Sequence, residues 1–247
     1  MKTFSSEIGH NYDTYSFGYC QYAERESNDR LMDIYAAGYL PFSGSPDVAN
    51  LAYMARSVRL DLKVWMPNSE NRRIYRKFEN VERQIDPVSQ HSDDAAIFDF
   101  CLAYFAARHG SVMPADRLRY VLNSGWVTDI ATYRIGGNIA AYVWLGRDEK
   151  ASHFYYSFYD LSFVSNSLGL WLMIDLALKS QELKHSHLYL GTAYGEKGLY
   201  KTNFEPLCWW NGRSWQTDRE GLRSLCRADD TRILTLTDRW KEDANLF

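Results

Sequence analysis

Hydrophobic and polar positions alternate most sharply over residues 58–64, where four aliphatic side chains are separated by charged ones. A period of two residues predicts a strand with one buried side and one solvent-facing side. Before it, apolar residues spaced i, i+3 and i+4 over 31–35 predict a short helix. The charged segment that begins at Ser69 predicts a second helix.

The predicted second helix concentrates positive charge. Its four basic residues fall at i, i+1, i+4 and i+5 and therefore share one broad face. Residues 56–83 contain eight Lys or Arg against four Asp or Glu, although the whole chain has a formal net charge of −3. A solvated helix face is the ordinary explanation, and a phosphate-binding surface is the alternative. The four residues are Arg72, Arg73, Arg76 and Lys77.

From residue 81 onward the periodicity switches regularly between strand-like and helix-like segments. The resulting order, β-α-α-β-β-β-α-β-α-β, resembles the N-acetyltransferase (GNAT) architecture. This resemblance implies the α+β class, with an antiparallel or mixed sheet flanked by helices and two central strands that splay around an acyl donor. The predicted segments are strands at 81–85, 127–135, 139–145, 153–160, 186–190 and 207–210, helices at 92–109, 114–122 and 167–182, and a helical turn at 199–204.

The chain is expected to divide into three parts. A smaller N-terminal α/β lobe covers 1–78, the GNAT-like domain covers 79–216, and a helical C-terminal tail covers 217–247. Trp240 and Phe247 favour docking of the tail on the rest of the chain, because large aromatic side chains lower the free energy when they are buried.

Composition narrows the class of protein. With 46% hydrophobic and 24% charged residues, the sequence is that of a globular protein, which excludes a disordered chain or a coiled coil. The small net charge excludes a uniformly basic coat for nucleic acid, although a local basic patch stays open. Aromatic residues make up 15% of the chain. Core packing is the more economical explanation for most of them, and a cleft that stacks on bases is the alternative.

The cysteines, histidines and apolar stretches argue against a disulfide framework, a metal site and a membrane span. The four cysteines are scattered without a Cys-x-x-Cys pair, so no disulfide framework is expected. His153, His185 and His187 lack partners at metal-ligand spacing. The N-terminus shows no signal-peptide pattern, so a cytoplasmic protein is expected. The apolar stretch 161–178 contains Asp175 and a Ser-Asn-Ser-x-Gly break, so no membrane partner is expected.

Four short motifs follow one another in the C-terminal half: Phe158-Tyr159-Asp160, Ser167-Leu168-Gly169, Leu188-Tyr189-Leu190-Gly191 and Tyr200-Lys201-x-x-Phe204-x-Pro206. In this order and spacing they resemble the signature of the aminoacyl-tRNA–protein transferases. That family comprises the arginyltransferases and the bacterial aspartate/glutamate leucyltransferases of the N-degron pathway. With upstream segments such as Tyr19-Cys20, the resemblance covers about residues 15–212.

The sequence departs from that family at two points. The family's Cys-x-x-Cys is missing, and residues 50–55 occupy its place. Cys20 alone cannot form a zinc or iron–sulfur site, so no metal is expected. Asp160 is followed by Leu161, where the family has proline. The expected co-substrate is aminoacyl-tRNA, and no other cofactor is expected.

The resemblance implies transfer of an amino acid, arginine or leucine, from tRNA to the amine of a protein or peptide. This chemistry requires an oriented, deprotonated amine and a stabilised oxyanion. Asp160, Tyr200 and Lys201 are the expected catalytic residues. Asp160 would bind an ammonium group or act as a base, and the other two would bind the tRNA 3′ end or the oxyanion.

The same resemblance implies two binding sets. The basic helix face, Arg72, Arg73, Arg76 and Lys77, would hold tRNA phosphates. Ordinary structural roles remain open for the second set: Ser167 as a helix N-cap, and the tyrosines as core residues rather than stacking partners of the terminal adenine. The expected substrate-binding residues are Tyr156, Tyr159, Ser167, Leu168, Gly169, Tyr189 and Gly191.

Two other functions stay open: a coenzyme A-dependent GNAT N-acyltransferase, and an inactive family member that binds peptide or tRNA. In GNAT enzymes the helix after the central strand binds pyrophosphate through small residues at its start. Here that segment is 166–171, and Trp171 stands where a small residue is usual. This residue and the basic helix favour tRNA over coenzyme A.

Overall fold

The computed structural model describes residues 1–13, 16–44, 48, 50–78, 80–91, 94–109 and 113–229. The strands are β1 (Lys2–Asn11), β2 (Ser16–Glu24), β3 (Tyr39–Pro41), β4 (Leu51–Met54), β5 (Ser57–Asp61), β6 (Val81–Pro87), β7 (Asp129–Ile135), β8 (Asn138–Arg147), β9 (Ala151–Tyr159), β10 (His187–Thr192), β11 (Cys208–Trp210) and β12 (Trp215–Gln216). The α-helices are α1 (Leu31–Ala36), α2 (Ser69–Tyr75), α3 (Ala95–His109), α4 (Ala115–Asn123), α5 (Leu168–Glu182) and α6 (Arg219–Asp229), and 3-10 helices cover Val88–Gln90, Leu161–Asn166 and Glu196–Asn203.

These elements form two sheets. The larger has eight strands in the order β12-β11-β5-β10-β9-β8-β7-β6, and the smaller has four in the order β1-β2-β4-β3. Neighbouring strands are antiparallel except β9 and β10, which run parallel. The predicted α+β class, with a mixed sheet flanked by helices, is confirmed. The element order predicted from residue 81 onward is also observed.

Strand β5 joins the N-terminal part of the chain to the larger sheet, where it lies between β10 and β11. It ends at Asp61 and not at Val64 as predicted. The Asp61 carboxylate accepts a hydrogen bond from the Lys63 amide (3.0 Å), and its carbonyl accepts one from the Trp65 amide (2.9 Å), which closes a turn. Because β5 belongs to the larger sheet, the expected lobe boundary at residue 78 does not coincide with the division between the two sheets.

Alternation along β8 determines which helices cover each face of the larger sheet. Val143 and Leu145 belong to a buried cluster that includes Leu172 of α5. Tyr142 and Trp144 point to the opposite face and pack with residues of α3 and α4. Helix α5 therefore covers one face, and the pair α3–α4 covers the other.

Helix α2 begins where the sequence predicts, because its first turn is capped reciprocally. The Asn68 side chain accepts from the Asn71 amide (2.8 Å), and the Asn71 side chain accepts from the Asn68 amide (3.3 Å). The helix then packs on α5, where the rings of Tyr75 and Trp171 stack 5.5 Å apart. This contact fixes the orientation of the basic face.

The pattern of hydrophobic and polar residues does not predict the β1–β2 hairpin. Its two strands are mostly exposed, so no inward-facing apolar alternation marks them. The hairpin joins the fold through β2, where Ala23 pairs with Ala52 of β4. Beneath it, a buried cluster joins α1 to the larger sheet through Tyr35, Trp126 and Tyr189.

The C-terminal tail contributes α6, in which Leu222 and Cys226 are buried. An ion pair between Arg56 and Asp229 (2.7 Å) holds the end of this helix. The tail aromatics Trp240 and Phe247 lie outside the described residues. Among the helices of the described ranges, none is long and apolar enough to cross a bilayer.

Strands β9 and β10, which run parallel, separate near the centre of the larger sheet. The two strands pair only where Ala151–His153 faces His187–Tyr189. Beyond that point β9 continues to Tyr159 and β10 to Thr192 without pairing to each other. A bulge opposite β5 places Gly191 in the left-handed backbone region, with φ of +79°, which favours glycine. The structure thus contains the splayed strands that the element order predicts.

Candidate functional site

A cavity of about 420 Å³ occupies the space between the separated ends of β9 and β10. We call this cavity the cleft. Its walls come from α3, β9, α5, β10 and the 3-10 helix that precedes β11, and most of the side chains are aromatic or aliphatic. They are Tyr104, Phe105, Phe154, Tyr155, Tyr156, Ser157, Phe158, Met173, Leu190, Gly191, Thr192, Tyr200 and Lys201.

Lys201 brings a positive charge to this largely uncharged wall. The residue is only 9% exposed, and its Nζ donates a hydrogen bond to the Thr192 carbonyl. Burial lowers the pKa of Lys201 to about 8, because desolvation disfavours the charged form. At pH 7 the amine is therefore still mostly protonated. A desolvated ammonium group interacts more strongly with a partial negative charge than one in water.

The narrow end of the cleft, which we call the apex, lies where β9 and β10 stop pairing. A Cβ atom built on Gly191 would lie 3.6 Å from Lys201 Nζ and 3.9 Å from His153 Nε2. Glycine therefore keeps the space between these two nitrogens free. The sequence motifs predicted Gly191 and Lys201 as site residues. They did not predict His153, because no motif contains that histidine and no metal-ligand spacing marks it.

His153 is a buried polar side chain without polar contacts. It is 2% exposed, and neither ring nitrogen has a hydrogen-bond partner in the described part of the chain. Its ring packs against Tyr35 (centroids 4.8 Å apart) and Tyr155 (5.3 Å). Burial, with a smaller effect of Lys201, lowers the pKa of His153 to about 3, so the ring is neutral at pH 7.

Tyr200, predicted from its motif, and Tyr156, predicted as a strand tyrosine that could stack on adenine, both line the cleft. The Tyr156 hydroxyl lies 3.2 Å from Ser43 Oγ and so contacts the N-terminal part of the chain. Desolvation, with a smaller effect of Tyr159, raises the pKa of Tyr200 to about 12, so its phenol stays protonated. Tyr159 does not line the cleft, and its ring packs against Tyr104 with centroids 5.0 Å apart.

Ser167, Leu168 and Gly169 form the start of α5 and are not among the cleft-lining residues. The expected side-chain cap at Ser167 is wrong: its backbone is left-handed (φ 66°) and its side chain makes no capping hydrogen bond. Leu168 is fully buried in the core. A Cβ on Gly169 would lie 3.1 Å from the Tyr159 ring, so this glycine makes room for a tyrosine at the helix start.

Asp160 and Tyr189 lie apart from the cleft. Asp160 is exposed, and its Oδ1 accepts a hydrogen bond from the Ser162 amide (2.9 Å) at the start of a 3-10 helix. This contact gives Asp160 a local structural role in the turn after β9. Tyr189 is 1% exposed and packs in the core, where its hydroxyl accepts a hydrogen bond from Arg59 Nη1 (3.3 Å).

The four basic residues of α2 and its C-terminal end are all exposed, as the pattern predicts. Arg73 pairs with Glu70 on the same helix (2.6 Å), which offsets part of its charge. Within the described ranges, Arg72, Arg76 and Lys77 form no ion pair with a carboxylate.

Helix α5 separates the basic face from the cleft. Arg76, Trp171 and Asp175 line a second cavity of about 460 Å³, whereas Met173 lines the cleft. Residues two positions apart on a helix point about 200° apart, so the two cavities lie on different sides of α5. The structure does not bring the basic residues and the cleft into one cavity.

Trp171 fills the space beside the first turn of α5. It is 3% exposed, and its Nε1 donates to the Tyr75 carbonyl (2.9 Å). The ring therefore occupies the space beside the start of the helix. Together with the Tyr159 ring on Gly169, it encloses the helix start in aromatic side chains.

No family model matches the sequence. The chain is nevertheless 27% identical over 171 residues to an aspartate/glutamate leucyltransferase from Chromobacterium violaceum, across 66% of this chain and 69% of that protein. It is 29% identical over 158 residues to the enzyme of that name from Paramagnetospirillum magneticum, across 61% of this chain and 64% of the relative. These relatives confirm the family resemblance that the motifs indicate.

Two solved structures are similar at low scores. L-PGS from Bacillus licheniformis aligns with a TM-score of 0.45 at 15% identity, across 83% of this chain and 71% of that chain. FemX aligns with a TM-score of 0.39 at 7% identity, across 70% of this chain and 62% of that chain.

Proposed function

We propose that this chain, a homologue of the bacterial aspartate/glutamate leucyltransferases, transfers an amino acid from aminoacyl-tRNA to the amine of a protein or peptide. The acceptor nitrogen forms a bond to the ester carbonyl carbon, and the bond from that carbon to the tRNA ribose oxygen breaks. One proton leaves the nitrogen and one is taken up by the ribose oxygen, so atoms and charges balance. Aminoacyl-tRNA is a cytoplasmic substrate, which is why we place the reaction in the cytoplasm.

The position of Lys201 carries this proposal. The Tyr200-Lys201 motif resembles the family signature, and its lysine lines a cleft between splayed strands. A buried ammonium group beside an apolar cavity is suited to stabilise negative charge that develops on a carbonyl oxygen. Tyr200, whose phenol stays protonated, adds a second donor at the wall of the cleft. Asp160 stays a separate proposal for binding the acceptor or aminoacyl ammonium group, since its carboxylate is exposed.

The cleft favours leucine over arginine as the carried amino acid. Its described lining residues include many aromatic and aliphatic side chains and no carboxylate. Lys201 would repel the guanidinium of a carried arginine, and nothing in the lining would pair with it. A leucine side chain instead gains from burial against Phe154, Phe158 and Met173.

The basic face is the proposed contact for the tRNA acceptor stem. Arg72, Arg76 and Lys77 are exposed and form no ion pair with a carboxylate of the described ranges, which suits contacts to phosphate oxygens. These contacts position the RNA without reading its sequence. Because α5 separates this face from the cleft, the 3′ end has to pass along α5 to reach Lys201. Tyr156 is available in the cleft wall to stack on the terminal adenine.

The decisive experiment supplies the purified protein with tRNA charged with a radiolabelled amino acid and with an acceptor peptide that bears a free N-terminal acidic residue. We expect label to move from leucyl-tRNA to the peptide, and ribonuclease treatment of the tRNA beforehand to abolish the transfer. More efficient transfer from arginyl-tRNA would overturn the leucine preference. Labelling that resists ribonuclease and requires acetyl-coenzyme A would replace the proposal with the N-acyltransferase alternative.

A further inference from the structure

His153 is buried behind Gly191, beside the apex of the cleft, and no contact in the described part of the chain accounts for its polar atoms. A buried ring whose two nitrogens both lack partners in the described part of the chain costs free energy relative to an apolar ring of the same size. Its ring meets Tyr35 at an interplanar angle of 67° and Tyr155 at 30°, and these are aromatic contacts that a phenylalanine ring can also make. Packing therefore does not explain why this position carries an imidazole.

The surroundings of His153 indicate what its nitrogens face. The Nε2 atom and Lys201 Nζ both lie within 4 Å of the point where a Gly191 Cβ would be, so the two groups border the same small space. A neutral imidazole in the Nε2–H tautomer donates one hydrogen bond from that atom. The ammonium group of Lys201 has three N–H donors, and one of them is used by the Thr192 carbonyl.

We propose that His153 and Lys201 together form the oxyanion-binding pair of the cleft, with the ester carbonyl oxygen of the aminoacyl-tRNA bound between Nε2–H and Nζ. This inference rests on the proposed function and adds to Lys201 and Tyr200 a further donor, which comes from β9. The pair comes from two chain segments that meet only because β9 and β10 stop pairing after His153. Gly191 belongs to the same arrangement, because any side chain there would enter the space for the oxygen.

A neutral donor beside a cationic one is well suited to this task. As the amine attacks, the carbonyl oxygen gains negative charge, and donors already fixed around it stabilise the transition state more than the ground state. Two lysine-like cations in this buried place would repel each other. The imidazole avoids that repulsion because it donates a hydrogen bond without carrying a charge.

The test compares three variants in the leucyl-tRNA transfer assay. His153→Phe keeps a ring between Tyr35 and Tyr155 but removes the donor. We expect kcat to fall by about 10²–10³-fold, as for loss of one oxyanion donor, with KM for leucyl-tRNA changed less than about threefold. The thermal midpoint should stay equal or rise, because two unpartnered nitrogens are removed. His153→Gln, which restores an amide N–H, should recover at least tenfold over His153→Phe.

His185→Phe is the matched control. His185 is also a buried histidine near the parallel strand pair, but its Nδ1 lies 2.9 Å from Ser152 Oγ, a polar partner of the kind that His153 lacks. This variant should lose thermal stability and keep its kcat. A His153→Phe enzyme with wild-type kcat would overturn the oxyanion pair and leave the proposed function standing. A wild-type protein that transfers nothing from any charged tRNA would overturn both.

Discussion

The cleft and the α2 basic face both present positive charge, but in opposite surroundings. Lys201 is 9% exposed and lies among aromatic and aliphatic walls, whereas Arg72, Arg76 and Lys77 are exposed on a helix surface. In the cleft a charge is desolvated and positioned by packing. On α2 the charges are hydrated, mobile and screened by salt.

This difference in burial determines how each region can act. A desolvated donor held against one point in space has a large effect on one chemical step. Exposed charges each contribute little, and their sum depends on ionic strength. Single substitutions should therefore be severe in the cleft and mild on α2, and salt should affect the two regions differently.

The largest expected effect comes from Lys201→Met. Loss of the ammonium group should lower kcat for transfer by about 10²–10³-fold, because a preorganised donor is removed. Stability should not fall, since a buried cation with a lowered pKa is replaced by an apolar chain. Single-turnover rates and thermal melts measure the two quantities. A variant that loses both activity and folding would weaken the assignment, and one that keeps its rate would remove Lys201 from the mechanism.

Gly191→Ala should come next. A Cβ there enters the space between Lys201 Nζ and His153 Nε2, and the residue has φ of +79°, which strains any L side chain. We expect at least a tenfold loss of kcat and destabilisation of about 1 kcal/mol. Gly136→Ala is the control: it has φ of +57° in the β7–β8 turn and open space around it. It should show a comparable loss of stability without the loss of rate.

The pH dependence of transfer should reveal the ionisation of Lys201. The pKa of this group is lowered to about 8, so the donating ammonium form is lost as the pH rises through 8. Relative to Lys201→Arg, which stays charged, the wild-type rate should fall about tenfold between pH 7 and pH 9. Dividing the wild-type rate by the Lys201→Arg rate at each pH cancels the ionisation of the acceptor amine. A ratio that rises with pH would indicate that neutral Lys201 acts as a base.

On α2, single substitutions should be mild. Arg76→Gln should weaken tRNA binding severalfold and lower the slope of log K against log salt by about 0.9 for a duplex contact. Arg73→Gln should have a smaller effect, because Arg73 is already paired with Glu70. Lys179→Gln, at a partly exposed position of α5 where the lysine pairs with Glu182 (3.0 Å), serves as the control for loss of one paired positive charge. A slope that does not change would show that tRNA binds elsewhere.

The smallest effect is expected from Asp160→Asn. The amide keeps an oxygen that can accept the Ser162 hydrogen bond, so the turn after β9 is preserved while the charge is removed. If the carboxylate only supports this turn, transfer should change less than about threefold. A loss of more than tenfold without a change in the thermal midpoint would establish the ammonium-binding or base role that the motif suggests.

The sequence could predict elements whose signal is local. The order from β6 to β11 follows from periodicity, and the basic face of α2 follows from the spacing of its arginines. The β1–β2 hairpin gives no such signal, because most of its side chains are exposed and no face is consistently apolar. Strand β5 was predicted as a strand, but its place beside β10 depends on distant residues.

For the site, motif order predicted Gly191, Tyr200 and Lys201 as site residues, the strand pattern added Tyr156, and all four line the cleft. Motif order did not distinguish these cleft residues from motif residues that only support the surrounding structure. Leu168 is buried in the hydrophobic core, and Tyr189 packs against Tyr35 outside the cleft. Gly169 makes room for the Tyr159 ring.

By itself, the sequence determined the α+β class, the order of the central elements, the exposed charge of α2 and the family resemblance. These are properties of local periodicity and of residue order along the chain. Only the tertiary structure decided that β9 and β10 stop pairing after His153, and that Lys201 returns from a later segment to the same space. The approach of residues 153 and 201 to the same Gly191 depends on how distant segments pack, which no local pattern encodes.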